Sequence, residues 1–170
     1  MSLAKRLALC AILSAITVLI LFLGGMASPV TIALTAAAGL LPAVAVLHCG
    51  LWWGLGVGVV SGLLSLLVLP NKGAAVLYLL FFSWYPVVKS LLERIEKPVL
   101  CWLCKLLVAA IAAAAAYFVY YRLFVSTAVF DWWIYALALV LALAAFAAYD
   151  IAFSLLISFY QRRIRPHVKW

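Results

Sequence analysis

Acidic residues are nearly missing from this chain. Its 170 residues hold four of them, Glu93, Glu96, Asp131 and Asp150, against twelve lysines and arginines. Charged residues make up 9% and hydrophobic residues 71%. A soluble fold needs more polar surface than that to cover its core, which excludes a water-soluble domain. Histidine is scarce too. His48 and His167 have no serine or aspartate partner at a recognisable spacing, so hydrolytic catalysis lacks its parts and no enzyme is expected. Cysteine is limited to Cys10, Cys49, Cys101 and Cys104, all within apolar stretches or at their edges, and implies no disulfide framework. Cys101 and Cys104 sit three apart, with His48-Cys49 on the same side, but no rigid polar loop supplies a fourth ligand. They read as small apolar packing residues, and neither a metal nor a cofactor is expected.

What the chain has in quantity is long apolar runs. Six of them, at about 7–23, 30–47, 51–69, 74–92, 99–121 and 132–160, are each long enough to cross a bilayer or nearly so. Numbering the connections alternately sorts the basic residues. Lys5 and Arg6 precede the first run. Lys89, Arg94, Lys97 and Lys105 surround the fourth connection, and Arg162, Arg163, Arg165 and Lys169 follow the last run. Only Lys72 and Arg122 fall on the other side. Lysine and arginine near span ends resist translocation, so this bias places both termini in the cytoplasm. The predicted fold is an all-α integral membrane protein, a single six-transmembrane-helix bundle over 1–170, in the inner or plasma membrane. The first run is longer than the apolar core of a signal peptide and is expected to be retained. A net charge of +8 gathered at membrane edges points to anionic membrane lipids as partners, not to nucleic acid.

Breakers mark the connections. Ser28-Pro29 is predicted to cap and open the second helix, and Lys97-Pro98 the fifth. Pro42 and Pro86 fall inside spans and are expected to kink them. Gly54, Gly58 and Gly62 repeat at four-residue spacing in the third span. Small residues let helix backbones approach closely where lipid gives little other reason to associate. Ala109, Ala112, Ala113 and Ala116 form a comparable face in the fifth. Ala4, Ala8, Ala11 and Ala15 line one side of the first helix, which is free to present that side to another protein.

Two constellations stand out as candidate sites. Asp150 lies roughly ten residues inside the sixth span, about 15 Å deep at the rise of an α-helix. A lone carboxylate there must be paired or neutral. Lys105 enters the fifth span from the same side, which makes an Asp150–Lys105 ion pair the expectation, with Lys89 as the other candidate partner. The pair reads equally as a structural lock or as a proton relay. Glu93 and Glu96 read as part of a solvated ion-pair face with Lys89. The external side is aromatic and nearly uncharged, and a small-molecule ligand site is expected there. Its candidate residues are Asn71, Tyr78, Tyr117, Arg122, Asp131 and Trp132, where rings offer stacking area and a few polar groups fix orientation. Part of this set also fits an interfacial aromatic belt.

With these residues in view, the chain resembles the substrate-binding S component of energy-coupling-factor vitamin transporters. The resemblance rests on Ala11-Ile12-Leu13-Ser14-Ala15 after a basic start, on Leu40-Leu41-Pro42, and on the run from Gly54 through Gly58 to Gly62 with its leucines. It covers the first three helices well and the rest loosely. It implies a six-helix bundle that captures a vitamin or related nutrient from outside. It also implies that Ala8, Ala11 and Ala15 dock on a transmembrane coupling subunit driven by cytosolic ATPases. The first external connection is shorter than the lid of many such proteins, and the deep Asp150 fits no vitamin-binding subgroup. The rival class is a non-transporting scaffold such as a bacterial cell-shape factor, which has similar length, span number and a glycine-rich third helix.

Overall fold

A polypeptide in lipid must satisfy its backbone hydrogen bonds within each segment, and apolar runs of this length do so as helices. The computed structural model describes residues 2–26, 28–70, 72–93, 97–124, 132–160 and 162, and every regular element among them is helical. In chain order these are α1 (Leu3–Met26), α2 (Thr31–Ala38), α3 (Leu40–Cys49), α4 (Leu51–Val68), α5 (Lys72–Leu77), α6 (Tyr85–Leu92), α7 (Pro98–Phe124) and α8 (Trp132–Phe159). Among the described residues five stretches are long and apolar enough to cross a membrane: Leu3–Met26, Thr31–Cys49, Leu51–Val68, Lys72–Leu92 and Val140–Phe159. These are the lengths and composition of a multi-pass membrane protein. The chain divides into two compact units, Met1–Leu91 and Leu92–Trp170.

In the first unit α1 packs on α2, α3 and α4, and α4 packs in turn on α3 and α5. The buried face of α1 is Leu9, Cys10, Leu13, Ser14, Thr17, Leu21 and Gly24. Leu9, Cys10 and Leu13 join Ala45, Cys49 and Val57 in one apolar core. Gly54, Gly58 and Gly62 of α4 act through close approach. A side chain at Gly54 would meet Val46, one at Gly58 would meet the backbone of Ser83, and one at Gly62 would meet Leu79. Gly50, at φ 103°, turns α3 into α4 in the left-handed region that glycine enters without penalty.

Both intramembrane prolines interrupt their spans, and each does so just ahead of its own position. Proline lacks an N–H and its ring crowds the carbonyl four residues earlier. Pro42 accordingly follows a break at Gly39, between α2 and α3. Pro86 follows a π-helical turn over Tyr78–Phe82, between α5 and α6. Two side chains serve carbonyls of that turn. Ser83 Oγ donates to Leu79 at 3.0 Å, and the Trp84 indole N–H donates to Leu80 at 2.8 Å. At the head of the second span the structure departs from expectation. Ser28–Val30 forms a 3-10 turn, α2 begins at Thr31, and its cap residue Val30 makes no side-chain cap bond. Thr31 Oγ1 instead donates back to the Gly24 carbonyl at 2.7 Å, satisfying a C-terminal acceptor of α1.

In the second unit α7 packs on α8. Among the described side chains, the buried positions of α7 are Lys105, Ala109 and Ala112, and those of α8 are Phe146, Asp150 and Phe153. Each set follows the i, i+4, i+7 spacing of one helix face, and each places a single charge among apolar neighbours.

Candidate functional site

Among the described residues of the second unit, Lys105, Asp150 and Glu93 form an ion cluster. Lys105 Nζ donates to Asp150 Oδ2 at 2.9 Å and to Glu93 Oε1 at 3.3 Å. The Lys105 and Asp150 side chains are 7% and 3% exposed, whereas Glu93 is 47% exposed. Lys105 lies about 10 Å along α7 from its first residue, and Asp150 about 14 Å from the last residue of α8, at 1.5 Å per residue. One lysine thus joins a buried carboxylate to a half-exposed one at the edge of α7. The Trp102 ring centroid lies 5.7 Å from the same ammonium, and adds a cation–π contact one turn earlier. Ser154 Oγ donates to the Asp150 backbone carbonyl at 2.9 Å. Chemically, the cluster can hold α7 against α8, and it offers a carboxylate–ammonium–carboxylate path inward from the edge.

The structure brings together Asp150 and Lys105 of the sequence-predicted set. Lys89, the other candidate cation, is 1% exposed on α6 in the first unit. Glu93 was read as part of a solvated face. Its bond to Lys105 went unanticipated because it lies in a turn, where no helical spacing points to the next helix.

A second polar centre lies inside the first unit. Tyr78, proposed from sequence as a ligand residue, is fully buried, and its hydroxyl lies 3.1 Å from Ser61 Oγ. Ser61 Oγ also donates to the Val57 carbonyl at 2.6 Å, Ser65 Oγ to that of Ser61 at 2.7 Å, and Thr17 Oγ1 to that of Leu13 at 2.7 Å. These hydroxyls therefore meet their hydrogen-bonding needs within the fold.

Of the remaining external candidates, Asn71 and Asp131 lie outside the described residues. Tyr117, Arg122 and Trp132 are placed on α7 and α8 by their backbone alone. Ala8, Ala11 and Ala15 are exposed, as is Ala4, on the side of α1 that its own unit does not cover. Lys72, at the start of α5, donates to the Leu66 carbonyl at 2.6 Å and so caps the end of α4. Among the described residues no group of three or more histidine, cysteine, aspartate or glutamate side chains is placed to hold a metal ion. Comparison with protein-family models, with curated proteins and with solved structures found no match.

Proposed function

We infer that this chain is a membrane-embedded substrate-capture subunit, similar to an S component, for uptake of a vitamin or related small nutrient. In this reading it has six spans, α7 being the one beyond the five named above, and both termini face the cytoplasm. It works with a transmembrane coupling subunit and cytosolic ATPases. The observation that carries the reading is the outward stripe of α1. Ala4, Ala8, Ala11 and Ala15 are exposed while the opposite side of the helix is buried. Lipid gains little from small residues, whereas another helix gains close backbone approach. The ligand would meet the external residues assigned from sequence, with Tyr117 and Trp132 as the aromatic surfaces.

A scaffold without ligand is the second reading. The Ser61–Tyr78 centre supports it, since a polar interior that satisfies itself needs no bound molecule. Thermal denaturation of the purified protein against a panel of vitamins and nucleobases separates the two. A ligand bound only by the folded state at a hundred times its Kd adds about 2.7 kcal/mol and raises Tm. That rise, lost in Trp132→Ala, is the expected result. No rise with any compound, together with co-purification of wall-synthesis proteins, would establish the scaffold.

A further inference from the structure

The first unit has no acidic residue. Met1–Leu91 contains Lys5, Arg6, Lys72 and Lys89, while Glu93, Glu96, Asp131 and Asp150 all lie beyond it. Lys72 donates to carbonyls at the end of α4, and Lys89 is buried on α6. Lys5 is exposed at the start of α1, and Arg6 beside it is partly buried. Arg6 lies one turn before Cys10, on the face that runs through Leu9, Leu13 and Thr17 into the core. Its Nε is shielded from solvent, and among the described residues that nitrogen has no hydrogen-bond partner. A guanidinium is always charged in a protein, so a permanent cation is partly desolvated there with no carboxylate in its own unit to answer it.

Chain direction fixes what surrounds Arg6. The far end of α1 meets the start of α2, where Thr31 donates to Gly24, so α3 returns toward the Arg6 end and α4 starts there. Cys49 and Trp53 accordingly pack with Leu9, Cys10 and Leu13. The rim of that end is apolar, for Leu3 and Leu7 are exposed and Trp52 is 84% exposed. Exposed leucines and a tryptophan beside a cation are the composition of a span end at the boundary between acyl chains and headgroups. We propose that Arg6 is a binding site for the phosphodiester of an anionic glycerophospholipid. Of the three guanidinium nitrogens only Nε is both shielded and unpaired, which leaves the outer two to meet the phosphate oxygens. The charge is delocalised over all three nitrogens, so an anion at the outer pair answers the desolvated one as well. Charge also selects the headgroup. A zwitterionic lipid brings an ammonium to a unit that offers no carboxylate, whereas phosphatidylglycerol brings the anion alone. Lys5 adds an exposed charge that attracts anionic lipid in general. The apolar rim favours a lipid over the carboxylate of a partner protein, because acyl chains cover Leu3, Leu7 and Trp52 at the same time.

The test is native mass spectrometry of the full chain in neutral detergent, titrated with dioleoyl phosphatidylglycerol, with circular dichroism to confirm that each variant is folded. Arg6→Gln should weaken lipid binding about 10–100-fold, through loss of charge-assisted hydrogen bonds. Lys5→Gln should weaken it by no more than about fivefold, the share of a general surface charge. Arg6→Lys keeps the charge but loses the planar fork, and should fall between wild type and Arg6→Gln. Dioleoyl phosphatidylethanolamine should bind more weakly, and excess inorganic phosphate should not displace the phosphatidylglycerol. Equal weakening by Lys5→Gln and Arg6→Gln would overturn the proposal, since diffuse attraction then accounts for the binding. Equally tight phosphatidylethanolamine binding would also overturn it, as would displacement by inorganic phosphate, which marks a soluble-anion site. Should Arg6→Gln not fold, an Arg6→Lys affinity equal to that of wild type overturns it. Unchanged lipid binding by Arg6→Gln, together with loss of a co-purifying membrane protein, would give the guanidinium to a protein carboxylate and overturn it too.

Discussion

At the scale of single residues, the decisive balance is between desolvating charges and pairing them. Asp150 is nearly inaccessible, and its 2.9 Å bond to Lys105 offsets the cost of removing both charges from water. Losing one partner strands the other. Asp150→Leu should therefore lower stability by about 3–5 kcal/mol, while Asp150→Leu combined with Lys105→Leu should be close to neutral. Denaturation of all three variants checks this, and a double change equal to the sum of its singles would show no coupling. Glu93 differs because it is half exposed. Glu93→Gln should cost no more than about 1 kcal/mol, the upper range for a solvated ion pair. The deep pair was legible in the sequence because a lone carboxylate far inside an apolar run demands a cation. The Glu93 bond was not, because it depends on how a turn and the next helix come together, which spacing along one helix does not encode.

At the scale of elements, stripes of small residues do opposite things on two helices. Gly54, Gly58 and Gly62 of α4 face inward, and a Cβ at Gly58 would run into the Ser83 backbone, which cannot rotate away. The alanines of α1 face outward. A bulky substitution therefore separates the two roles. Gly58→Leu should destabilise the purified protein by about 1–3 kcal/mol or more through overpacking. Ala15→Leu should leave its melting unchanged while abolishing co-purification with a coupling subunit. Unfolding caused by Ala15→Leu would instead place the stripe in internal packing. Sequence spacing revealed both stripes but not their directions, since small-residue repeats look alike whichever way they point. The breaks near Pro42 and Pro86 were legible from proline chemistry. The π-helical turn was not, because one extra residue in a turn leaves no mark on an apolar run already hydrophobic on every side.

At the scale of the whole molecule, apolar length gives the membrane class while the proposed orientation draws on charge distribution, so the two are tested separately. The five long apolar stretches account for the first. The proposed orientation rests on ten of twelve basic residues lying on or beside one set of connections, an asymmetry that depends on every span being counted. Removing one span from the count reverses the side of all that follow it. Accessibility of single cysteines, in a background lacking the four native ones, is therefore sensitive to α7, whose 27 residues make it long enough to cross. Labelling by a membrane-impermeant maleimide should reach Lys72→Cys and Ser126→Cys from outside, and Ile95→Cys and Val168→Cys only after the membrane is opened. If α7 does not cross, Ile95→Cys and Ser126→Cys fall on the same side. That single result would replace the six-span topology with a five-span one and put the two termini on opposite faces.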